Sequence, residues 1–143
     1  MVIQLNRKIR KYSHLIDVCG HVSLDMMPKA YSEMSVCVFP SVWENFPNVC
    51  LEAMSAGRAI VATYTGGMAE MLDNGEAGVM IPPRNPMAIA DAVINLLRSP
   101  EKCLTMGNNA RQKVLEKYSD EKVGALLEKS YEKAIMNKKC SQV

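Results

Sequence analysis

Residues 36–63 read VCVFPSVWENFPNVCLEAMSAGRAIVAT, in which two apolar runs flank a stretch of helical character. The first run, Ser35–Pro40, does not alternate apolar with polar residues, which is typical of a strand covered on both faces of a parallel sheet. Pro47 suits the first turn of a helix, and Gly57 suits its C-terminal end. The second run, Ala59–Thr63, is again typical of a buried strand. We therefore predict a right-handed βαβ unit whose first strand is central in the sheet.

Strands and helices continue to alternate on both sides of this unit. Apolar runs at Leu15–Cys19 and Gly78–Ile81 are predicted strands, so that four strands are expected in all. Helices are predicted at residues 3–12, 25–34, 47–56, 68–72, 86–98, 101–117 and 120–136. This order predicts the α/β class, with a Rossmann-like doubly wound parallel sheet followed by C-terminal helices.

The predicted sheet is small, because open parallel sheets usually have about five or six strands. We expect a single partial domain over residues 1–143, with a strand and helix core at about 13–98 and a helical annex at about 101–136. We also expect that the N-terminal part of this domain lies outside the sequence.

The apolar spacing of the helices predicts which residues face the core. Tyr31 belongs to an inward stripe of the helix at residues 25–34. Two later helices have predicted inward faces, formed by Met87, Ala90, Val93, Ile94 and Leu97 in one and by Val123, Leu127, Tyr131 and Ala134 in the other.

Charge and cysteine content exclude several classes of function. The net charge is +2, but residues 13–100 hold four basic and nine acidic side chains, which argues against a nucleic-acid groove. The five cysteines show no CxxC spacing, so neither a disulfide framework nor a zinc site is indicated, and a reducing cytoplasm is expected. No apolar run approaches the roughly 20 residues that cross a bilayer, and we expect no membrane association.

Two glutamates mark the candidate site. Glu44 lies in the loop Ser41–Phe46, which leaves the carboxyl end of a predicted parallel strand, where ligands of open α/β sheets bind. Glu52 follows seven intervening residues later, inside the predicted helix. Carboxylates accept hydrogen bonds from hydroxyl pairs, and backbone N–H groups near Asn45–Val49 could meet a phosphate. The pattern outlines a nucleotide-diphosphate sugar, although two such glutamates are more often only solvated or capping residues.

The surrounding residues resemble a known family, the C-terminal, donor-binding domain of GT-B-fold retaining glycosyltransferases of family 4 (glycosyl transferases group 1). The similarity runs from about Val18 to the last helix. It rests on Pro40-Ser41, Glu44-Asn-Phe-Pro-Asn-Val-Cys-Leu-Glu52-Ala-Met, Gly57-x-Ala-Ile-Val-Ala-Thr63, Gly66-Gly67-x-x-Glu70, Asn74-Gly75-x-x-Gly78 and Pro82.

The resemblance implies a role for each matching position. Glu44 would contact the hydroxyls of the transferred sugar near the reacting carbon, and Glu52 would hold the ribose diol. Gly20, His21 and Val22 would place backbone against the nucleobase, and Ser41 could reach a phosphate. The remaining donor-binding positions would be Asn45, Phe46, Asn48, Val49, Gly66 and Gly67, with Glu70 in the same loop as the glycines.

Several of these positions also have a purely structural interpretation. Glu44 is then a surface charge and Glu52 a partner of the helix dipole. Phe46 fills the core, His21 is an ordinary loop histidine, and Ser41 caps a turn. Gly66 and Gly67 then supply only turn geometry.

The resemblance implies sugar transfer from a nucleotide-diphosphate sugar to an acceptor hydroxyl with retained configuration, in polysaccharide or glycoconjugate biosynthesis, with no metal or other cofactor. In the family an arginine and a lysine bind the diphosphate, and both would precede Met1. The acceptor-binding domain, the expected partner of this donor-binding domain, would also precede Met1. Arg58 and Arg84 are the nearest basic residues. Arg58 follows the C-terminus of the predicted helix, so it is expected on the side of the βαβ unit away from the site loop. We therefore expect the chain alone to be inactive; the alternatives are a non-catalytic nucleotide-sugar-binding module or a scaffold.

Overall fold

The computed structural model describes residues 9–140, and the chain divides between Ala30 and Tyr31 into two compact units. In chain order the elements are α1 (Met27–Ser32), β1 (Val36–Phe39), α2 (Asn48–Ser55), β2 (Ala59–Thr63), α3 (Met68–Met71), a 3₁₀ turn (Asp73–Gly75), β3 (Val79–Ile81), α4 (Pro86–Leu97), α5 (Pro100–Lys113), a π-helical turn (Val114–Tyr118) and α6 (Asp120–Cys140). The prediction of one partial domain over residues 1–143 stays a prediction.

The first unit contains no strand within its described residues. Residues 9–11 are helical, whereas the rest of the predicted helix at residues 3–12 lies outside the described residues. The predicted strand Leu15–Cys19 is wrong, because residues 16–23 have no regular structure. Leu15 is 75% exposed and Val18 70% exposed, and no described strand hydrogen-bonds with this segment. An extended segment with neither a backbone partner nor a buried face has nothing to hold it as a strand.

The second unit is built on a three-stranded parallel sheet of order β1-β2-β3. Val36 pairs with Ala59 at the start of β1, and Val61 pairs with Val79 where β3 joins. The predicted βαβ unit and the α/β class are confirmed. The prediction that β1 is central is wrong, since β2 occupies the centre with all five residues buried and β1 is an edge strand within residues 9–140.

Side chains from α4 and β2 form a core on one face of the sheet. Ala59 and Val61 of β2 pack with Ala92 and Leu96 of α4 and with Ile81 of β3. Because residues alternate along a strand, Ile60 and Ala62 point to the other face. The α2 helix contacts β2 and buries Cys50, Ala53 and Met54.

The inward face of α4 is rotated from the predicted one. Of the predicted inward residues only Val93 packs partly against the core, while Met87, Ala90, Ile94 and Leu97 are exposed. The helix is apolar around most of its circumference, so spacing alone did not identify the buried face. The small residues Ala88 and Ala92 face the sheet instead, which allows the helix to approach it closely.

The last helix lies away from the core. Residues 120–137 of α6 are all exposed, so the predicted inward face with Val123, Leu127, Tyr131 and Ala134 is wrong. The contacts of α6 are concentrated on the π-helical turn that precedes it. Of the helices within residues 9–140, none combines the length and the apolar character needed to span a bilayer.

Candidate functional site

The loop after β1 is tied to the end of β2. The buried Thr63 hydroxyl, at the last position of β2, donates to the backbone carbonyl of Ser41. The Ser41 hydroxyl in turn donates to Glu44 Oε1 over 2.9 Å. Glu44 is half-buried, so its carboxylate has a defined orientation at the carboxyl edge of the sheet. Thr63 is not among the residues predicted for the site; a hydroxyl at the end of an otherwise apolar strand was the available signal.

A second loop, Gly66–Gly67, lies directly against the first. A Cβ added to Gly66 would overlap the carbonyl oxygen of Glu44, and one added to Gly67 would overlap that of Asn45. Gly66 also has a φ of +48°, a backbone region that favours glycine. The two loops therefore pack backbone against backbone, and glycines are required for that close approach. The structural interpretation of these glycines as turn residues does not account for this close approach to the Glu44 and Asn45 backbone.

The C-terminal helices support both loops. The Phe46 ring, 38% exposed, meets the Tyr118 ring edge to face at a centroid distance of 5.2 Å. The Glu70 carbonyl, just after the glycines, accepts hydrogen bonds from Lys113 Nζ at 2.9 Å and from the Tyr118 hydroxyl at 3.5 Å. Phe46 thus contacts the helical annex, and the backbone of Glu70 is fixed while its side chain is exposed.

Lys113 is a buried cation, 5% exposed, that forms an ion pair with Asp73. The Lys113 ammonium beside Asp73 holds the pKa of that carboxyl below its usual value, and the more distant Lys117 acts in the same direction. Asp73 has a φ of +48°, so this ion pair accompanies an uncommon backbone conformation. The sequence alone does not predict this ion pair, because its members lie 40 positions apart on separate elements.

Glu52 has a buried hydrogen-bond donor of its own. The Tyr31 hydroxyl lies 3.1 Å from Glu52 Oε2 and 3.2 Å from the Val49 carbonyl oxygen. Glu52 is half-buried on α2. Burial, followed by the hydrogen bond and negative charge of Glu52, raises the pKa of Tyr31 to about 12. Tyr31 was predicted to be a core residue; it is one, 7% exposed, and it also orders a predicted site residue.

The N-terminus of α2 lies between the two glutamates in the chain. Pro47 caps the helix from an extended conformation, and no side chain caps it. Cys50 N–H donates to the Pro47 carbonyl. Asn48 and Val49 are exposed, and the first N–H groups of a helix have no partner within it. These groups and the positive end of the helix dipole suit an anion.

The remaining predicted positions lie apart from this cluster or in the other unit. Gly20 has a φ of +65°, His21 is exposed, and Val22 is half-buried; their predicted role stays a prediction. Arg58 precedes β2 and donates to the carbonyls of Ala56 and Met34, at the edge of the sheet opposite the loops. Arg84 follows β3 and thus leaves the same edge as the site loops.

The structure therefore brings most of the predicted donor-binding residues of the second unit to one edge. The loop after β1 contains Ser41, Glu44 and Asn45, which contact each other or the Gly66–Gly67 loop. The same loop leads into α2, which carries Asn48, Val49 and Glu52. Within residues 9–140 no group of three or more His, Cys, Asp and Glu side chains could hold a metal ion.

Loops at the carboxyl edge of an open parallel sheet are the usual place for a ligand, and comparison with known proteins identifies the family. The family described as Glycosyl transferases group 1 matches residues 3–99. The chain belongs to this family of glycosyltransferases.

Individual relatives agree with this assignment. An uncharacterised glycosyltransferase of Methanocaldococcus jannaschii, MJ1607, is 38% identical over 106 residues, which are 74% of this chain and 27% of that protein. The structure of sucrose-phosphate synthase from Thermosynechococcus elongatus superimposes with a TM-score of 0.86 at 26% identity, over 94% of this chain and 34% of that one.

A third structure shows the fold alone. Anabaena HepE in complex with UDP superimposes with a TM-score of 0.85 at 20% identity, over 92% of this chain and 36% of that one. The chain thus spans about a quarter to a third of the length of these relatives. These similarities confirm the predicted GT-B, Rossmann-like fold.

Proposed function

We propose that the chain provides the nucleotide-sugar donor site of a glycosyltransferase, formed by the loop after β1, the first turns of α2 and the Gly66–Gly67 loop. The observation that carries this proposal is a pair of ordered carboxylates, Glu44 in the loop before the N-terminus of α2 and Glu52 within that helix. That helix begins at the carboxyl edge of a parallel sheet, where ligands of such sheets bind.

Each part of the site suits one part of the donor. Glu44, fixed by Ser41, accepts hydroxyls of the transferred sugar. The N–H groups at Asn48 and Val49 meet the diphosphate, whose negative charge the helix dipole favours. Glu52 is the fifth residue of α2, about 6 Å further along the helix axis, and accepts the ribose diol. The HepE structure in complex with UDP supports a nucleotide ligand for this fold.

Nucleotide binding tests the proposal directly. We expect one of UDP, GDP and ADP to bind the chain in calorimetric titration, and Glu52→Ala to weaken that binding about tenfold or more, because a hydrogen bond to a charged group is lost. Glu44→Ala should have a smaller effect on diphosphate affinity, since its partner is the sugar. Glu132→Ala, on the exposed face of α6, is the matched control.

Two results would contradict this assignment. Equal losses of affinity in Glu44→Ala and Glu52→Ala would refute the division of roles. If none of the three nucleotides bound or raised the melting temperature, the donor site would be refuted and the scaffold alternative supported, because a ligand of the folded state must stabilise it.

The transfer reaction is proposed for a protein that joins this domain to an acceptor-binding domain. There, an acceptor hydroxyl would attack the anomeric carbon, the bond to the diphosphate would break, and the configuration would be retained. The hydroxyl proton would pass to the leaving diphosphate, and no metal ion is needed in this scheme. Glu44→Ala should chiefly lower turnover in such a protein. The free thiols Cys19, Cys37, Cys50 and Cys103 support a reducing, cytoplasmic location.

We expect the chain alone to bind donor without transferring sugar. The position of Arg58 favours this second candidate function, a donor-binding module, because its guanidinium is committed to two carbonyls at the opposite edge of the sheet. Glycosyl transfer from any sugar nucleotide by the purified 143-residue chain would contradict the expectation.

A further inference from the structure

Tyr31 occupies a position that the proposed donor site does not yet explain. Its ring is buried near the end of α1, and its hydroxyl reaches α2, 21 residues further along the chain. Both acceptors within reach, Glu52 Oε2 and the Val49 carbonyl oxygen, belong to the first turns of α2. A buried hydroxyl is thus directed at the helix that carries the proposed ribose ligand.

The hydroxyl must donate in this arrangement. A carboxylate and a carbonyl oxygen are both acceptors, so the single phenolic proton is given to one of them or shared. A tyrosine is protonated at neutral pH, and burial beside Glu52 raises the pKa of Tyr31 further, to about 12. The geometry and the chemistry of the two acceptors agree on the direction of the bond.

This bond restricts the orientation of the Glu52 carboxylate but does not use all of its acceptor positions. An ionised carboxylate offers about four acceptor positions, and Tyr31 occupies one of them on Oε2. Oε1 and a second position on Oε2 remain for a ligand, which matches the two hydroxyls of a diol. The bond also removes rotational freedom that Glu52 would otherwise lose on binding a ligand.

We infer that Tyr31 is a positioning residue of the donor site, which holds Glu52 in the orientation that accepts the 2′- and 3′-hydroxyls of a nucleotide ribose. This inference rests on the proposed function. It assigns to Tyr31 a selective effect on ribonucleotides, whereas a residue that only fills the core would affect all ligands alike.

The test compares ribonucleotides with 2′-deoxyribonucleotides. Calorimetric titrations of the chain with UDP, GDP and ADP and with their 2′-deoxy forms give the preference for the ribose diol. Tyr31→Phe removes only the hydroxyl and should weaken ribonucleotide binding about tenfold, with little change for the deoxy form. Tyr131→Phe, an exposed tyrosine on α6, is the matched control and should change neither.

A double variant shows whether Tyr31 acts through Glu52. In a Glu52→Gln background, Tyr31→Phe should have almost no further effect on the preference for ribose, since residues that act as a unit are not additive. The inference is overturned if Tyr31→Phe keeps the wild-type preference or if the two changes are additive. Failure of the wild-type chain to bind any nucleotide would instead refute the proposed function, a result visible before any variant is made.

Discussion

The Gly67→Ala variant should force apart the two loops that form the proposed site. Gly67 has an ordinary backbone, with φ −71° and ψ −7°, so alanine costs nothing in conformation at this position. The added Cβ would overlap the Asn45 carbonyl oxygen and lie 3.1 Å from the Phe46 ring. The effect of this substitution is therefore purely steric, and it acts on the loop that carries Glu44.

Three glycines give a graded series of effects on the free energy of unfolding. Overpacking at Gly67→Ala should cost about 1–3 kcal/mol. Gly66→Ala adds the strain of a left-handed φ, about 1–2 kcal/mol, for a total of about 2–5 kcal/mol. Gly124 lies within α6 with nothing within 4 Å of an added Cβ, so Gly124→Ala should stabilise by about 0.5–1 kcal/mol.

Urea unfolding followed by circular dichroism measures this series, and calorimetry measures nucleotide binding by the same variants. We expect Gly67→Ala to lose nucleotide affinity under conditions where it remains folded. Wild-type stability in Gly67→Ala would refute the close approach of the loops. A loss of stability with unchanged nucleotide affinity would refute their joint role in the site.

The ion pair and the aromatic contact give further predictions. Asp73→Asn should cost about 2 kcal/mol, more than Lys113→Met, because Lys113 would stay buried without its counter-ion while the 39% exposed Asp73 can regain water. The pKa of Asp73 is lower in the folded protein than its unfolded value of about 3.9. The contribution of Asp73 to the free energy of unfolding is therefore fully present above that unfolded pKa, and it is lost as pH falls through the folded pKa. Tyr118→Ala should cost about 0.5–1.5 kcal/mol in lost contact with Phe46, and Tyr118→Phe much less.

These predictions can each fail in urea unfolding experiments. A larger loss in Lys113→Met than in Asp73→Asn would contradict the argument from burial. If wild type and Asp73→Asn lost stability in parallel between about pH 5 and pH 2, the lowered pKa of Asp73 would make no contribution to the pH dependence of the free energy of unfolding. Equal effects of Tyr118→Ala and Tyr118→Phe would assign the contribution to the hydroxyl instead of the ring.

Local sequence patterns predicted the central part of the fold. The run Ala59–Thr63 is observed as β2 with the predicted bounds, because a largely apolar strand followed by turn residues has few alternatives. The predicted helix start at residue 86 is observed, and Asn85 caps it by accepting from Ala88 N–H at 3.0 Å. Gly57 ends the α2 segment with a φ of +67°. Each of these features depends on residues close together in the chain.

Features that depend on distant partners were not predicted. The edge position of β1 follows from strand order, which an apolar run does not specify. The segment Leu15–Cys19 has no hydrogen-bonded strand partner among the described residues. The face of α6 with Leu127 and Tyr131 was predicted to be buried from spacing alone, yet no core covers it.

The site shows the same division. The placement of Glu44 in the loop and of Glu52 on the helix was predicted from the chain, since both belong to one continuous segment. The contacts that orient them come from Tyr31, Thr63 and the glycine loop, which are separated from them by about 20 residues and follow only from the parallel sheet and its crossovers. Resemblance to a family identified the glycines but did not show that they meet the Glu44–Asn45 backbone.

Mapping nucleotide binding onto individual amides tests the central claim most directly. The uniformly ¹⁵N-labelled chain is titrated with UDP, GDP and ADP, and backbone chemical shifts are followed residue by residue. We predict that the nucleotide that binds shifts the amides of Asn45, Asn48 and Val49 and those of Gly66–Gly67. Glu52→Ala should reduce these shifts at equal ligand concentration, as expected for an affinity about tenfold lower. Shifts confined to α6 or to the Arg58 edge of the sheet, or no shifts with any of the three, would contradict a donor site at Glu44 and Glu52.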